Sequence, residues 1–282
     1  MEEDYLDLMH YVMTEGVDAE DRTGVGTRSV FGAQYHHDLS DGFPAITTKR
    51  LAWKAVVSEL LWFLEGSTDE RRLCEILHGT RDPSKKTIWT ANADNQGVAL
   101  GYENNDQVKE LGPVYGHQWR SFSGVDQIQW VINEIKTNPN SRRLIVSAWN
   151  PREIPNMALP PCHFAMQFNV QNGMLNCMLI QRSGDLFLGI PLNSASYSLL
   201  THMIAQICNL TPGVFVHTFG DAHIYHNHFD AVNTQLDREP RDLPTLRMPE
   251  FTTLDELLET KPSDYVLEGY DPLPSIKAPM AV

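Results

Sequence analysis

One compact domain that mixes helices with strands is what the sequence predicts, on three observations. Apolar residues recur at helical spacing, first as Tyr5, Leu8, Met9 and Val12 and then as Trp53, Val56, Val57, Leu60, Leu61, Phe63 and Leu64. Alternating residues from Phe164 to Val170 meet the turn signal Gln171-Asn172-Gly173, and Met174 to Ser183 returns as the second arm of a hairpin. No linker, low-complexity run or fixed repeat divides the 282 residues, and the 42% apolar composition can bury a large core, so residues 1–282 read as a single domain.

The net charge of −14 and sequence pI of 5.1 argue against nucleic acid as the main partner, because neutralising phosphates needs a basic face. A local basic pocket for a small anion remains compatible with that balance. The acidic start Met1-Glu2-Glu3-Asp4 leads into an amphipathic pattern, and no apolar stretch is long enough for a bilayer. A soluble, cytoplasmic protein with no membrane partner is expected. The four cysteines, Cys74, Cys162, Cys177 and Cys208, form no C-x-x-C pair, which fits a reducing compartment and not structural zinc.

Taken in order, the first helical pattern stops at Gly16, and Asp21-Arg22-Thr23-Gly24-Val25-Gly26-Thr27 follows as a turn-rich loop whose arginine could reach an anion. Ser29 to Tyr35 reads as a strand. Trp53 to Leu64 has no breaker before Gly66 and reads as a largely buried helix. Glu59 sits inside that run; the apolar density around it favours a carboxyl held in a cleft, with raised pKa, over one facing solvent. Ser67-Thr68-Asp69-Glu70 matches a capping box for a helix to about Leu77. Ile88-Trp89-Thr90-Ala91-Asn92 sets a large ring among polar residues, either as core packing or as a stacking surface for an aromatic ligand. Asp126 caps a helix with an inner face of Ile128, Val131, Ile132 and Ile135, and Leu144 to Ala148 is an apolar strand behind Arg142-Arg143. Side chains alternate along a strand, so these two arginines should serve different faces or partners. A helix begins near Leu192-Asn193 and runs to Asn209, Val214 to Phe219 is a strand, and Gly220 to His228 opens a further helix to about Leu236. Its His223, His226 and His228 lack the i, i+4 pair of zinc hydrolases, so no metal is expected.

The stretch Leu159-Pro160-Pro161-Cys162-His163 carries the chemistry. Two prolines remove amide donors and stiffen the approach to one cysteine. That cysteine is either a buried small hydrophobe or a nucleophile whose pKa is lowered by neighbouring arginines. Counting back across the Asn172-Gly173 turn sets Gln181-Arg182-Ser183 opposite Cys162-His163, which favours the nucleophile.

Shared motif order runs nearly end to end: Asp21-Arg22-Thr23-Gly24, Glu59-Leu60-Leu61-Trp62, Ile88-Trp89, Gly112-Pro113-Val114-Tyr115-Gly116, Arg142-Arg143, Leu159 to His163, Gln181-Arg182-Ser183-Gly184-Asp185, Gly220 to Tyr225 and the terminal Met280-Ala281-Val282. In these the chain resembles the folate-dependent thymidylate synthase family. The resemblance implies an α+β fold with a large mixed β-sheet whose back packs on that of a second copy. It implies that Arg22, Arg182, Ser183 and, donated across the homodimer interface, Arg142 and Arg143 hold the 5'-phosphate of dUMP. Gln181, Gly184 and Asp185 would complete the substrate wall, His223 and Tyr225 would bind the sugar hydroxyl, and Asn193 would read the uracil edge. Cys162 would add to C6, with Glu59, Tyr115, His223 and water moving the C5 proton. The implied cosubstrate is 5,10-methylenetetrahydrofolate, against Trp89, Asn92, Asp185, Leu188, Leu192 and Ala281, with Lys49 at its glutamate tail. The products would be dTMP and dihydrofolate.

Two departures bear on this expectation. Where the family usually has Pro-Phe-Asn-Ile-Ala-Ser-Tyr, this chain has Pro191-Leu192-Asn193-Ser194-Ala195-Ser196-Tyr197, and the usual aspartate after Ile-Trp is Thr90. Both leave the phosphate and uracil readers intact while changing the folate side. The alternative is therefore a dUMP 5-hydroxymethylase using the same folate and nucleophile, with water capturing the one-carbon unit. A cytidylate hydroxymethylase would call for an acceptor such as aspartate where Asn193 stands. An RNA-binding regulator is opposed by the acidic balance.

Overall fold

The computed structural model describes residues 2–21 and 24–280. Helix α1 (Glu2–Glu15) leads to strands β1 (Val17–Ala19) and β2 (Thr27–Asp38). Helix α2 (Trp53–Leu64) ends where Gly66 adopts a left-handed φ of 76°. Helix α3 (Glu70–His78) follows, then α4 (Thr90–Asn92), which continues as a wider π turn to Gly97. Next come α5 (Tyr115–Ser121), α6 (Gln127–Thr137), β3 (Ile145–Ser147), β4 (His163–Gln171) and β5 (Met174–Asp185). Helix α7 (Gly189–Ile207), β6 (Thr211–Tyr225), α8 (Phe229–Leu236), β7 (Thr245–Arg247), α9 (Leu254–Leu258) and β8 (Val266–Glu268) complete the chain.

Six strands form one mixed sheet in the order β1-β2-β6-β5-β4-β3, in which β5 and β6 run parallel and the other neighbours antiparallel. The parallel pair needs a crossover, and α7 supplies it, buried on nearly every side as an apolar central helix. One core packs α2, α5, α6 and α7 on the sheet; a second joins α1 and α8 to the β2–β6 side. The fold is thus α+β with a large mixed sheet. The face of the sheet away from the core is only half-buried at Met178, Ile180, Val214 and Val216. No helix among the described residues is long and apolar enough to cross a membrane.

Three boundaries differ from expectation. The capping box does not form at Ser67: the cap of α3 is Asp69, whose carboxylate accepts from the Arg71 amide, while Glu70 is turned into a buried pair with Arg71. Helix α7 starts at Gly189 and not near Leu192, because Pro191 sits in the first turn, where an amide proton has no helical partner to lose. Residues 220–225 are not a helix start but the end of β6, since the backbone there is bonded to β2 on one side and β5 on the other; only His226–His228 turns as a short 3₁₀ segment before α8.

Candidate active site

Cys162 is delivered as the proline pair implies. Pro160 and Pro161 lend their carbonyl oxygens to Arg182, whose Nη2 donates at 3.1 Å to the first and whose Nε donates at 2.8 Å to the second. The same Nη2 lies 3.8 Å from the Cys162 Sγ. Hairpin pairing sets His163 against Gln181, and the Arg182 amide donates to the Cys162 carbonyl at 2.8 Å. The Cys162 amide is met by the hydroxyl of Tyr115 at 2.7 Å. The thiol is therefore fixed on both sides. Its pKa is nevertheless pushed up, chiefly by burial, with Arg182 opposing; among the described residues the lowering expected from clustered arginines does not arise.

The thiol opens onto a pocket of about 250 Å³ that gathers residues from α2, α5, the Ile88–Asn92 segment, β5, α7 and β6. Its lining includes Glu59, Trp89, Asn92 and Tyr115 together with Gln181, Ser183, Asp185, Leu192, Asn193, His223 and Tyr225. Burial in the pocket wall pushes the Glu59 carboxyl up to about 7, against a hydrogen bond from the Trp89 indole N–H at 2.7 Å that favours the charged form. Trp89 is itself 6% exposed and packs among Trp62, Phe63 and Tyr115, so the core-packing alternative holds, with only an edge on the pocket. His223 Nδ1 is 2.7 Å from the Asp221 carboxylate. Asp185 accepts from the amides of Phe187 and Leu188 and so fixes the turn into α7.

Other expected residues lie elsewhere. Lys49 is buried, donates to the Phe187 carbonyl and sits 3.4 Å above the Phe187 ring, where burial lowers its pKa to about 7; it is not on the pocket wall. Leu188 packs in the second core, and Gly184 lies behind the wall, where an added Cβ would come within 2.7 Å of Ile190. Arg142 and Arg143 are exposed at the start of β3 and do not line the pocket of their own chain. Arg22 and Ala281 lie outside the described residues.

Thr90 explains its own departure from the usual aspartate. Its hydroxyl donates at 2.6 Å to Glu70, which also accepts from Thr87 and pairs at 2.7 Å with the fully buried Arg71. Arg71 in turn donates to the carbonyls of Asp82 and Lys85, so one buried ion pair anchors the loop that carries Ile88 and Trp89. Leu192 has a cavity of about 80 Å³ behind it, lined mainly by Val56, Leu73, Leu77 and Ile88 and also reached by Glu59 and Thr87.

His163 enters the sequence pattern only as part of a motif with no role of its own, yet it lines the pocket. It stacks on Tyr115 with ring centroids 4.2 Å apart and bonds Tyr197 through Nδ1, and burial lowers its pKa to about 3, so it is neutral. Its position beside Cys162 was the available signal. A larger cleft of about 490 Å³ lies between Lys54, Arg72 and Lys261, and there Arg72 is already paired with Glu65 and Glu75. Among the described residues no group of His, Cys, Asp and Glu is arranged to hold a metal ion.

A model of the thymidylate synthase family matches residues 3–282. Among solved structures, the crystal structure of thymidylate synthase from T4 phage is similar at 47% sequence identity and a TM-score of 0.92, with 99% of this chain and 99% of that chain covered.

Proposed function

This chain belongs to the thymidylate synthase family, and from that premise we propose that it methylates dUMP reductively to dTMP, consuming 5,10-methylenetetrahydrofolate and releasing dihydrofolate. The observation that carries the reading is a held thiol, Cys162, and a carboxyl of raised pKa, Glu59, lining one pocket that also presents Asn193, Ser183 and His223.

The Cys162 thiolate adds to C6 of the uracil ring, forming a sulfur–carbon bond and leaving C5 electron-rich. When bound, the folate supplies the one-carbon unit and the hydride. Glu59, poised near neutrality, moves the C5 proton with His223, water and the Tyr115 hydroxyl as relays. Expulsion of the Cys162 sulfur then restores the aromatic ring and frees the enzyme. Asn193 reads the uracil edge; His223 and Tyr225 take the sugar hydroxyl; Arg182 and Ser183, with Arg22, take the phosphate. Among the pocket's lining residues, Ile88, Asn92, Leu192 and Asp185 together suit a flat ring with amide edges, since they mix apolar and polar groups.

The same reading makes the whole chain one catalytic domain acting as a cytoplasmic homodimer, with the half-buried sheet face as its interface and Arg142 and Arg143 reaching the partner's pocket. Added guanidinium groups would counter the burial that raises the Cys162 pKa within one chain. The cavity behind Leu192 is lined mainly by apolar side chains but also by Glu59 and Thr87, so product analysis decides between methyl and hydroxymethyl transfer. Incubation with dUMP and methylenetetrahydrofolate tests both points: dTMP by mass and dihydrofolate by absorbance are expected. 5-Hydroxymethyl-dUMP without dTMP would establish the alternative.

A further inference from the structure

Beneath the base-reading side of the pocket runs a line of buried polar side chains that the reaction itself does not use. Tyr35, Gln181, Ser194 and His217 are 4%, 3%, 1% and 0% exposed, and they join β2, β5, α7 and β6. Resting on the function proposed above, we infer that His217 is a positioning residue: through Gln181 it sets which face of the Asn193 amide meets the base, and so contributes to the choice of uracil over cytosine.

The polarity of the line follows from its acceptors. Gln181 Nε2 is 2.9 Å from the Ser183 carbonyl oxygen, which can only accept, so the amide nitrogen lies on that side and Oε1 on the other. Oε1 is 2.9 Å from His217 Nε2; an amide oxygen accepts, so the imidazole proton sits on Nε2. Nδ1 is then the acceptor. Ser194 Oγ is 3.0 Å from it, Tyr35 OH is 3.4 Å from it, and the two hydroxyls are 2.6 Å apart. Ser194 is also within 3.0 Å of the Ile190 carbonyl. Nδ1 can take the Ser194 proton while Tyr35 donates to Ser194, or the Tyr35 proton while Ser194 donates to the Ile190 carbonyl. Ser194 stands where isoleucine is usual, and the isoleucine side chain could not take part.

At the pocket end, Gln181 Nε2 also donates to Asn193 Oδ1 at 3.3 Å. That bond occupies the Asn193 oxygen from behind and leaves the Nδ2 protons for the ligand. A donor so placed suits the O4 carbonyl of uracil and meets the amino group of cytosine donor to donor. Without the imidazole, the Gln181 amide would be held only through its Nε2, by the Ser183 carbonyl and the longer bond to Asn193, and in the turned orientation Oε1 would face Asn193 and draw its Nδ2 away from the base.

The test compares dissociation constants for dUMP and dCMP in the wild type, His217→Phe and His217→Gln. In His217→Phe the preference for dUMP should fall about tenfold, the worth of one net buried hydrogen bond. His217→Gln, which can still donate to Gln181, should recover most of it. A residue that merely fills space would lower the melting temperature and leave the preference alone, so a His217→Phe protein with wild-type circular dichroism and a preference within about twofold of the parent overturns the inference. Should His217→Phe not fold, heteronuclear NMR of the wild-type ring nitrogens decides: a protonated Nε2 is expected, and a protonated Nδ1 with bare Nε2 overturns it. A wild-type protein that binds neither nucleotide defeats the functional reading, and the same NMR spectrum then judges the His217 relay alone.

Discussion

At Cys162 two effects compete, and within a single chain burial wins over one guanidinium 3.8 Å away. The thiol is then a guarded group rather than a freely reactive one, which suits a nucleophile that should ionise when an anionic substrate and its arginines assemble. Cys162→Ala is expected to bring turnover to background while dUMP binding stays measurable by calorimetry. Cys208→Ala, half-buried with its thiol 3.9 Å from the Ile132 carbonyl, should cost about 1 kcal/mol in a denaturant titration and leave turnover intact. Glu59 gives the pH dependence. Burial lifts its carboxyl from the usual carboxylate range to about 7, so it is largely protonated below neutrality and charged above it. Glu59→Gln should lower kcat by about 100- to 10,000-fold and remove the limb of the pH–rate profile near 7. Trp89→Phe deletes the N–H that favours the carboxylate, so the limb should move to higher pH; a move to lower pH would contradict the cause assigned here. These residues differed in legibility. Cys162 and Arg182 could be matched by counting across one tight turn, whereas His217, Ser194 and Tyr35 meet only after three separate elements pack, and no spacing in the chain announces it.

Among the elements, the hairpin β4–β5 and helix α2 were legible because each carries its whole signal locally: a two-residue turn with Asn172 and Gly173 at φ of 51° and 76°, and an unbroken apolar run with a glycine stop. The last turn of β6 was not, since Asp221-Ala222-His223 has no strand signature of its own and is held extended by neighbours on both sides. Helix α3 shows the same limit: Ser67 to Glu70 fits a capping pattern, yet tertiary demand turns Glu70 inward onto Arg71, Thr87 and Thr90. That demand yields a prediction at this scale. Thr90→Asp restores the residue usual in the family but sets a second carboxylate against a buried one whose pair with Arg71 is already complete. It should cost about 3 kcal/mol by chemical denaturation, in the range of an uncompensated buried charge. Glu70→Gln in the same protein should return much of the loss, because the two sites share one network. If Thr90→Asp alone were neutral, the loop would be anchored by something other than this pair.

For the molecule as a whole, the question is where Arg142 and Arg143 act. Both are exposed at the head of β3 and away from the pocket that their own chain forms, while the sheet beside them presents a half-buried apolar face. An isologous dimer through that face would give each pocket two guanidinium groups it lacks and cover Met178, Ile180, Val214 and Val216 at once. Complementation separates this from a self-sufficient chain. Cys162→Ala should be inactive, and the double change Arg142→Ala with Arg143→Ala should raise KM for dUMP by about 10- to 100-fold per charged hydrogen bond lost. Mixed in equal amounts and allowed to exchange subunits, half of the dimers are heterodimers. In each of these, the pocket with an intact Cys162 receives its arginines from the Cys162→Ala chain and is complete; the other pocket carries both lesions. About one site in four is then wild type, and activity at low dUMP should climb to roughly a quarter of the parent value. If each chain supplied its own arginines, no mixture could assemble a complete site, and the assay would stay at the sum of the two parents.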